Sequence, residues 1–124
     1  MMNNTLAPQP EQKVTTDTIL SQLKEWVENK MPIAPNLWLD ACAKLNVLKG
    51  DESKSLFKLQ QAIAFVKKEL MEKGYTAAKA KIWVESTDSY IDMKIQEAKI
   101  EMIEEQIRIS KIQARLGQND YHNQ

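Results

Sequence analysis

The sequence contains few of the residues that build disulfide frameworks, histidine sites or turn-rich sheets. Its one Cys, Cys42, excludes an intramolecular disulfide and any multi-cysteine metal site. Three Gly and four Pro are fewer than the turns of an antiparallel sandwich or barrel usually need. The single His, His122, leaves little for histidine-based catalysis. These shortages favour a helical protein that does not depend on metals or disulfides.

Charge and hydropathy exclude two further classes. The 124 residues include 17 Lys and Arg against 17 Asp and Glu, so no net charge draws the whole chain toward nucleic acid or membrane. No segment approaches the roughly 20 apolar residues of a membrane span, and the start lacks a basic-then-apolar secretory signal. A free thiol suits a reducing compartment. We therefore expect a cytoplasmic protein that does not contact membranes.

The sequence predicts an all-α domain over residues 15–117, with flexible tails at 1–14 and 118–124. The first tail is rich in proline and amides, and so poor in large apolar groups that it cannot offset its ordering entropy. The first helix begins near Thr16 or Asp17, either of which can cap it. It ends in the segment 31–35, because each of its two prolines bars the residue before it from the helical region.

Two more helices are predicted before the last one. Asn36 is expected to cap the second helix, which Gly50 ends. The third runs from about Asp51 to Gly74, and its apolar residues recur every three or four positions, as along a coiled-coil seam.

The fourth helix is predicted to be the longest. From Thr76, a suitable cap, to Leu116 there is neither Gly nor Pro, which allows about 60 Å of unbroken helix. The weak point is the segment Ser86–Ser89, whose short polar side chains compete with the backbone for hydrogen bonds. Gly117 is expected to end it. The predicted architecture is three short helices packed along one long C-terminal helix.

Two apolar stripes run along opposite sides of this last helix. The first comprises Ala77, Ala80, Val84, Ile91, Ile95, Ala98, Met102, Ile109, Ile112 and Leu116. The second comprises Met93, Ile100, Ile103, Ile107 and Ala114. A helix packed on one neighbour shows a single apolar face, so we expect Met93, Ile100, Ile103 and Ile107 to contact a second copy in a homo-oligomer. In the alternative, the first helix of the same chain covers them.

No pattern indicates an enzyme, a metal or a cofactor. Glu97, Glu101 and Glu104 share a face, but a di-metal carboxylate bundle also needs a Glu-x-x-His step, which is absent. Cys42 has no histidine nearby in the sequence to activate it, so we interpret it as a buried thiol. Gly-rich phosphate loops and nucleophile-elbow motifs are also missing. We assign no catalytic residue.

A local excess of lysine is the remaining functional signal. Nine Lys and four acidic residues lie between Lys44 and Lys81. The candidate phosphate-binding residues are Lys54, Lys58, Lys67, Lys68, Lys73, Lys79 and Lys81, with Phe57, Tyr75 and Trp83 available to stack on single-stranded bases. In the alternative, the lysines only keep a helix solvated and the aromatic residues belong to the core.

From Leu37 to Leu116 the chain resembles, in size and helicity, the small helical accessory proteins that phages encode. The segments that carry the likeness are LWLDACAKLNVL and AAKAKIWVESTDSYIDMKIQEAKIEMIEEQIRISKIQARL. Phage recombination mediators and small terminase subunits are the types it is similar to, and the resemblance implies self-assembly near DNA. We therefore expect a self-associating viral accessory protein that binds single-stranded or duplex DNA. The alternatives are a scaffold that binds only proteins and a small regulator of one host protein.

Overall fold

The computed structural model describes residues 15–29 and 33–122, with side chains up to residue 117. Within these residues the chain is helical and contains no strand. The four helices are α1 (Thr16–Glu28), α2 (Pro35–Glu72), α3 (Ala77–Glu85) and α4 (Asp88–His122). The expected tail at 1–14 lies outside the described residues, as do residues 123 and 124. The all-α prediction is confirmed, whereas the division into helices differs from the expected one.

Threonine hydroxyls cap the first turns of α1 and α3. Thr15, rather than Thr16 or Asp17, caps α1, and its Oγ1 accepts a hydrogen bond from the Thr18 amide at 3.2 Å. Thr76 caps α3 in the same way, accepting from the Lys79 amide at 3.2 Å. Between α2 and α3, Gly74 has a φ of 102°, a conformation that L side chains rarely adopt. The predicted turn at this glycine and the predicted cap at Thr76 are therefore confirmed.

Helix α2 is one continuous helix of 38 residues where the sequence predicted two. Gly50 lies in its interior, and its φ is not positive, so it does not end a helix. Asn36 lies in the first turn and is not the cap; Ala34 occupies that position, and Pro35 begins the helix. The predicted helix end at Gly50 is wrong because continuous packing against α4 outweighs the cost of one glycine.

The predicted long C-terminal helix is not continuous, and it divides into α3 and α4 within the segment that the sequence marked as its weak point. Ser86 Oγ donates to the Trp83 carbonyl and Thr87 Oγ1 to the Val84 carbonyl, both at 2.6 Å. Thr87 Oγ1 also accepts from the Tyr90 amide at 3.3 Å, which caps the start of α4. The Ser86 and Thr87 amides bond to the same two carbonyls, so hydroxyl and amide together close a turn of three-residue steps where the α-helix ends. At the other end, α4 continues through Gly117 to His122, so the predicted end at Gly117 is wrong.

Helices α2 and α4 pack side by side in antiparallel directions. Cys42 Sγ lies 3.7 Å from the Ile107 carbonyl oxygen, and Lys49 Nζ lies 3.2 Å from Glu104 Oε1. Nearer the ends, the backbone of α4 at Gly117 comes so close to Pro35 that an added Cβ would lie 2.9 Å from the proline Cγ. The pair α2–α4 is therefore the frame on which the two shorter helices lie.

The interior is divided into two clusters. The larger joins α1, α2 and α4 and contains Ile19, Leu23, Trp38, Ala41, Leu45, Ile103, Ile107 and Ala114. Trp26 packs at its margin, edge-on to Trp38 with ring centroids 5.1 Å apart. The smaller cluster joins Leu70 of α2 to Ala80 and Val84 of α3. Within the described residues, no helix combines the length and apolar character required to cross a bilayer.

Candidate nucleic-acid interface

The middle of α2 presents basic and aromatic side chains to solvent on the side turned away from the core. We call this surface the α2 outer face and define it by Lys54, Phe57, Lys58, Phe65 and Lys68, which share one side of a helix with 100° between residues. Phe57 is 59% exposed and Phe65 62%. The two rings lie eight residues, or about 12 Å, apart along the helix axis. Three lysines therefore surround two exposed aromatic rings.

The α2 outer face lies in a stretch of one charge. Residues 53–68 include four lysines and no acidic residue. Among the described residues, Lys54, Lys58 and Lys68 have no carboxylate within 4.0 Å, whereas Lys44 pairs with Asp40 at 3.0 Å. These ammonium groups are not neutralised by the described part of the chain and are available to an anionic ligand.

The other four predicted lysines are placed differently. Lys67 is half-buried on a flank of α2, and Lys73 follows the last residue of that helix. Lys79 and Lys81 are exposed on α3, where Lys81 Nζ lies 3.9 Å from Glu85 Oε1. The structure therefore brings three of the seven lysines onto one helix face and distributes the others around the turn between α2 and α3.

The aromatic residues are exposed, contrary to the alternative that they belong to the core. Tyr75 and Trp83 are more than two-fifths exposed, like Phe57. Sequence reasoning missed Phe65. A signal was present, because Phe65 lies two turns after Phe57 and outside the apolar seam that ends at Leu70.

The residues assigned to an oligomer interface lie inside the chain. Met93, Ile100, Ile103 and Ile107 are all buried, and Ile103 is fully inaccessible. Ile103 and Ile107 belong to the larger core cluster, which α1 and α2 complete. The first helix thus helps to cover this stripe, as in the alternative interpretation. The assignment is corrected accordingly: these four residues are not left over for a second copy.

The exposed stripe is the opposite one. We call it the α4 outer stripe and define it by Ile91, Ile95, Ala98, Met102, Ile109, Ile112 and Leu116. Ile95 is 61% and Met102 57% exposed, and of the seven residues Ile109 alone is half-buried. One apolar stripe of α4 is therefore left exposed in the single chain, as expected, but it is the stripe that was expected to lie in the core.

A polar cluster at the middle of α2 ties three helices together. The Glu52 carboxylate accepts from Thr16 Oγ1 at 3.2 Å and lies 3.3 Å from Lys99 Nζ. Gln96 Nε2 donates to the same carboxylate and, at 2.9 Å, to the Glu52 carbonyl. Burial alone would raise the pKa of Glu52, but the hydrogen bonds from Gln96, Lys99 and Thr16 outweigh it and lower the pKa. This cluster has a structural role, because it joins α1, α2 and α4.

Neither of the other chemical candidates forms a reactive site. Burial raises the pKa of the Cys42 thiol, which keeps the group protonated and poorly nucleophilic. Glu97 pairs with Lys94 at 3.3 Å and Glu104 with Lys49 at 3.2 Å. In the described part of the chain, no three His, Cys, Asp or Glu side chains are grouped so that they could hold a metal ion.

Comparisons with known proteins add no relative. No protein-family model, curated protein or solved structure matches the chain. Any function must therefore be argued from the geometry of its own residues.

Proposed function

We propose that this protein is a non-enzymatic, self-associating accessory protein that binds DNA without reading its sequence, in a nucleic-acid-handling assembly of the kind phages encode. The α2 outer face is the binding surface, and single strands bind there more tightly than duplex. The observation that carries the proposal is the exposure of Phe57 and Phe65 among lysines that no described carboxylate neutralises.

The lysines supply the part of the affinity that does not depend on sequence. An ammonium group attracts phosphate as a point charge and releases condensed counterions when it binds, so affinity falls steeply with salt. Lys54 and Lys58 are one turn apart, and Lys68 lies about 15 Å further along the same side of the helix. A phosphate backbone lying along α2 can therefore contact all three residues, although the chain as a whole carries no net charge.

The phenylalanines supply the preference for single strands. An unpaired base exposes a π-face that stacks on an aromatic ring, whereas the bases of a duplex are already stacked on one another. Phe57 and Phe65 stand on a convex helix surface and are both more than half exposed. Exposed phenylalanine costs solubility, so a stacking partner gives a physical reason for two such rings between lysines.

The test is a salt titration of binding to a labelled oligothymidine and to a duplex, read by fluorescence anisotropy. Each lysine-phosphate contact contributes about −0.7 to the slope of log affinity against log salt for a single strand. The triple change Lys54→Gln/Lys58→Gln/Lys68→Gln is therefore expected to make the slope shallower by about 2. The matched control, Lys24→Gln/Lys94→Gln/Lys111→Gln, removes the same charge from exposed lysines of α1 and α4. It should leave the slope unchanged, because these lysines lie outside the α2 outer face and make no phosphate contact there.

The aromatic contribution is tested separately. Stacking is worth about 1–3 kcal/mol per base, so removing both rings in Phe57→Ala/Phe65→Ala costs at least about 2 kcal/mol and should weaken binding of the single strand at least about thirtyfold at constant salt slope. Val27→Ala/Ile82→Ala removes exposed apolar side chains of α1 and α3, away from the α2 outer face, and serves as the control. Absence of binding at low salt, or equal losses in the lysine variant and its control, would refute the proposal.

A scaffold that binds only proteins is the second candidate. The α4 outer stripe favours it, because contiguous exposed apolar surface usually marks a protein contact. Absence of binding to either form of DNA at low salt, together with the self-association described below, would favour this candidate.

A further inference from the structure

The α4 outer stripe extends over residues 91–116, about 37 Å of helix. Its spacing includes two steps of eleven residues, from Ile91 to Met102 and from Ala98 to Ile109. An eleven-residue step keeps residues on one side of a nearly straight helix, whereas a seven-residue step requires supercoiling. The stripe is therefore suited to lie along another straight apolar surface over its whole length.

We propose that a second copy of this chain covers the stripe, with the two α4 helices antiparallel and Ile95 of each copy against Leu116 of the other. The same register brings Met102 of one copy against Ile109 of the other. This inference deepens the self-association in the proposed function by naming its surface and orientation, and it does not depend on DNA binding.

Charge placement along one flank of the stripe supports the antiparallel direction. Glu97 and Glu101 lie in the first half of α4, whereas Arg108 and Arg115 lie in the second half. Glu101 and Arg108 are two turns apart and Glu97 and Arg115 five turns apart, so all four lie on the same flank. Glu105 lies at the edge of this flank, near the symmetry axis, and Arg108 of the same copy compensates its charge, while Glu97 also pairs with Lys94 of its own copy. In an antiparallel pair, this flank of one copy meets the same flank of the other copy, which runs in the opposite direction. In the register given above, Glu97 is level with Arg115 of the second copy, and Glu101 lies about one turn or less from Arg108 of the second copy.

The surface of α1 and α4 near the midpoint of the proposed pair also has charges that complement those of the same surface on the second copy. A groove of about 350 Å³ between α1 and α4 is lined by Asp17, Leu20, Ser21, Lys24, Met102 and Gln106. The symmetry axis lies close to Met102 and Gln106, so α1 of each copy faces α1 of the other. Because they too run antiparallel, Asp17 of one copy faces Lys24 of the other.

The apolar area is of the size that a small stable interface needs. Five large apolar side chains of the stripe are between 39% and 61% exposed and present on the order of 100 Å² each. Two copies would then bury on the order of 1,000 Å², the least that a specific interface between proteins is expected to bury. The flanking residues and α1 add to this area, so the stripe is large enough to hold two copies together.

The first test is the mass of the full chain by light scattering at tens of micromolar. We expect twice the chain mass of 14.3 kDa. Ile95→Glu and Met102→Glu should each shift the mass to that of one chain while leaving the helical signal in circular dichroism unchanged, because both side chains are exposed in the single chain. Val47→Glu, at the even more exposed Val47 of α2, is the matched control and should not change the mass.

Disulfide crosslinking tests the orientation, in a Cys42→Ala background that removes the buried thiol. Ile95→Cys mixed with Leu116→Cys is expected to give a covalent dimer, since a disulfide requires Cα atoms within about 7 Å. Either variant alone should stay uncrosslinked, because the two copies of position 95 would be about 30 Å apart.

Three results would overturn the inference: a 14.3 kDa particle for the unchanged chain, crosslinking of Ile95→Cys with itself, or loss of the dimer in the Val47→Glu control. None of these results affects DNA binding by the α2 outer face, so failure here and failure of the proposed function are distinguishable.

Discussion

Replacing Gly50 by alanine tests whether α2 is one helix or two. In the structure Gly50 lies inside the helix, and a Cβ built on it meets no heavy atom within 4 Å. Glycine is about 0.8–1.0 kcal/mol less favourable than alanine at such a position. Gly50→Ala is therefore expected to stabilise the protein by about 1 kcal/mol. For a helical domain of this size that raises the melting temperature by roughly 4 °C.

An arrangement with two helices that meet at Gly50 predicts that Gly50→Ala destabilises the protein. If one helix ended at Gly50 in a left-handed cap and another began after it, alanine would be strained there and would destabilise the protein by about 1 kcal/mol or more. Thermal and urea unfolding followed by circular dichroism distinguish the two signs. A melting temperature that falls, or does not change, would refute a continuous α2.

The two other glycines provide internal standards for the same experiment. Gly74→Ala should destabilise the protein by about 1–2 kcal/mol, because its φ of 102° is unfavourable for a residue with a Cβ. Gly117→Ala should stabilise the protein less than Gly50→Ala or not at all, because the new methyl group would lie 2.9 Å from Pro35 Cγ. Three glycines in one chain are thus expected to give three different results.

Two further predictions concern the core and the polar cluster. Ile103→Ala should destabilise the protein by about 2–5 kcal/mol, because the side chain is fully buried. Ile95→Ala removes an exposed side chain and should change the unfolding free energy of the single chain by about 0.5 kcal/mol or less, measured by urea titration at low protein concentration. Equal effects would contradict the assignment of the two stripes. The folded-state pKa of Glu52 is lowered below its ordinary value of 4.5, so its stabilising contribution is present above that pH and is lost as pH falls below it. Glu52→Gln should therefore flatten the acid limb of the stability curve. Glu105→Gln, in an exposed pair with Arg108, should flatten it much less, and equal flattening would contradict the role of the cluster.

The sequence predicted the features that are set within one or two turns of chain. Thr76 and Gly74 act locally, through one hydroxyl and one backbone angle, and the structure confirms both. The weak point at Ser86–Ser89 was identified for the same reason, although the sequence did not determine whether the helix breaks there; in the structure Ser86 and Thr87 bond to carbonyls three residues back. Gly50 carries a similar local signal, but packing between α2 and α4 extends α2 past it, and α4 also continues past Gly117.

The identity of the buried stripe of α4 could not be predicted from the sequence. Both stripes consist mainly of isoleucine, methionine and alanine, so their apolar character does not distinguish them. The buried stripe even includes Ser110, which is fully inaccessible. The choice depends on where α1 and α2 lie, which is a property of long-range packing. For the candidate interface, sequence reasoning found Lys54, Lys58, Lys68 and Phe57, but not their separation from Lys79 and Lys81 on α3.

The two proposed surfaces lie on opposite sides of the α2–α4 pair, because each faces away from the contact between these helices. Two copies joined through the α4 outer stripe would therefore carry their α2 outer faces on the two outer sides of the dimer. Such a dimer cannot enclose one strand between its subunits. It can hold two strands apart, or two distant stretches of one long strand, and the second contact is then intramolecular and strengthened by effective concentration. The arrangement suits a protein that bridges or organises single strands, and a dimer formed through α2 would not have this property.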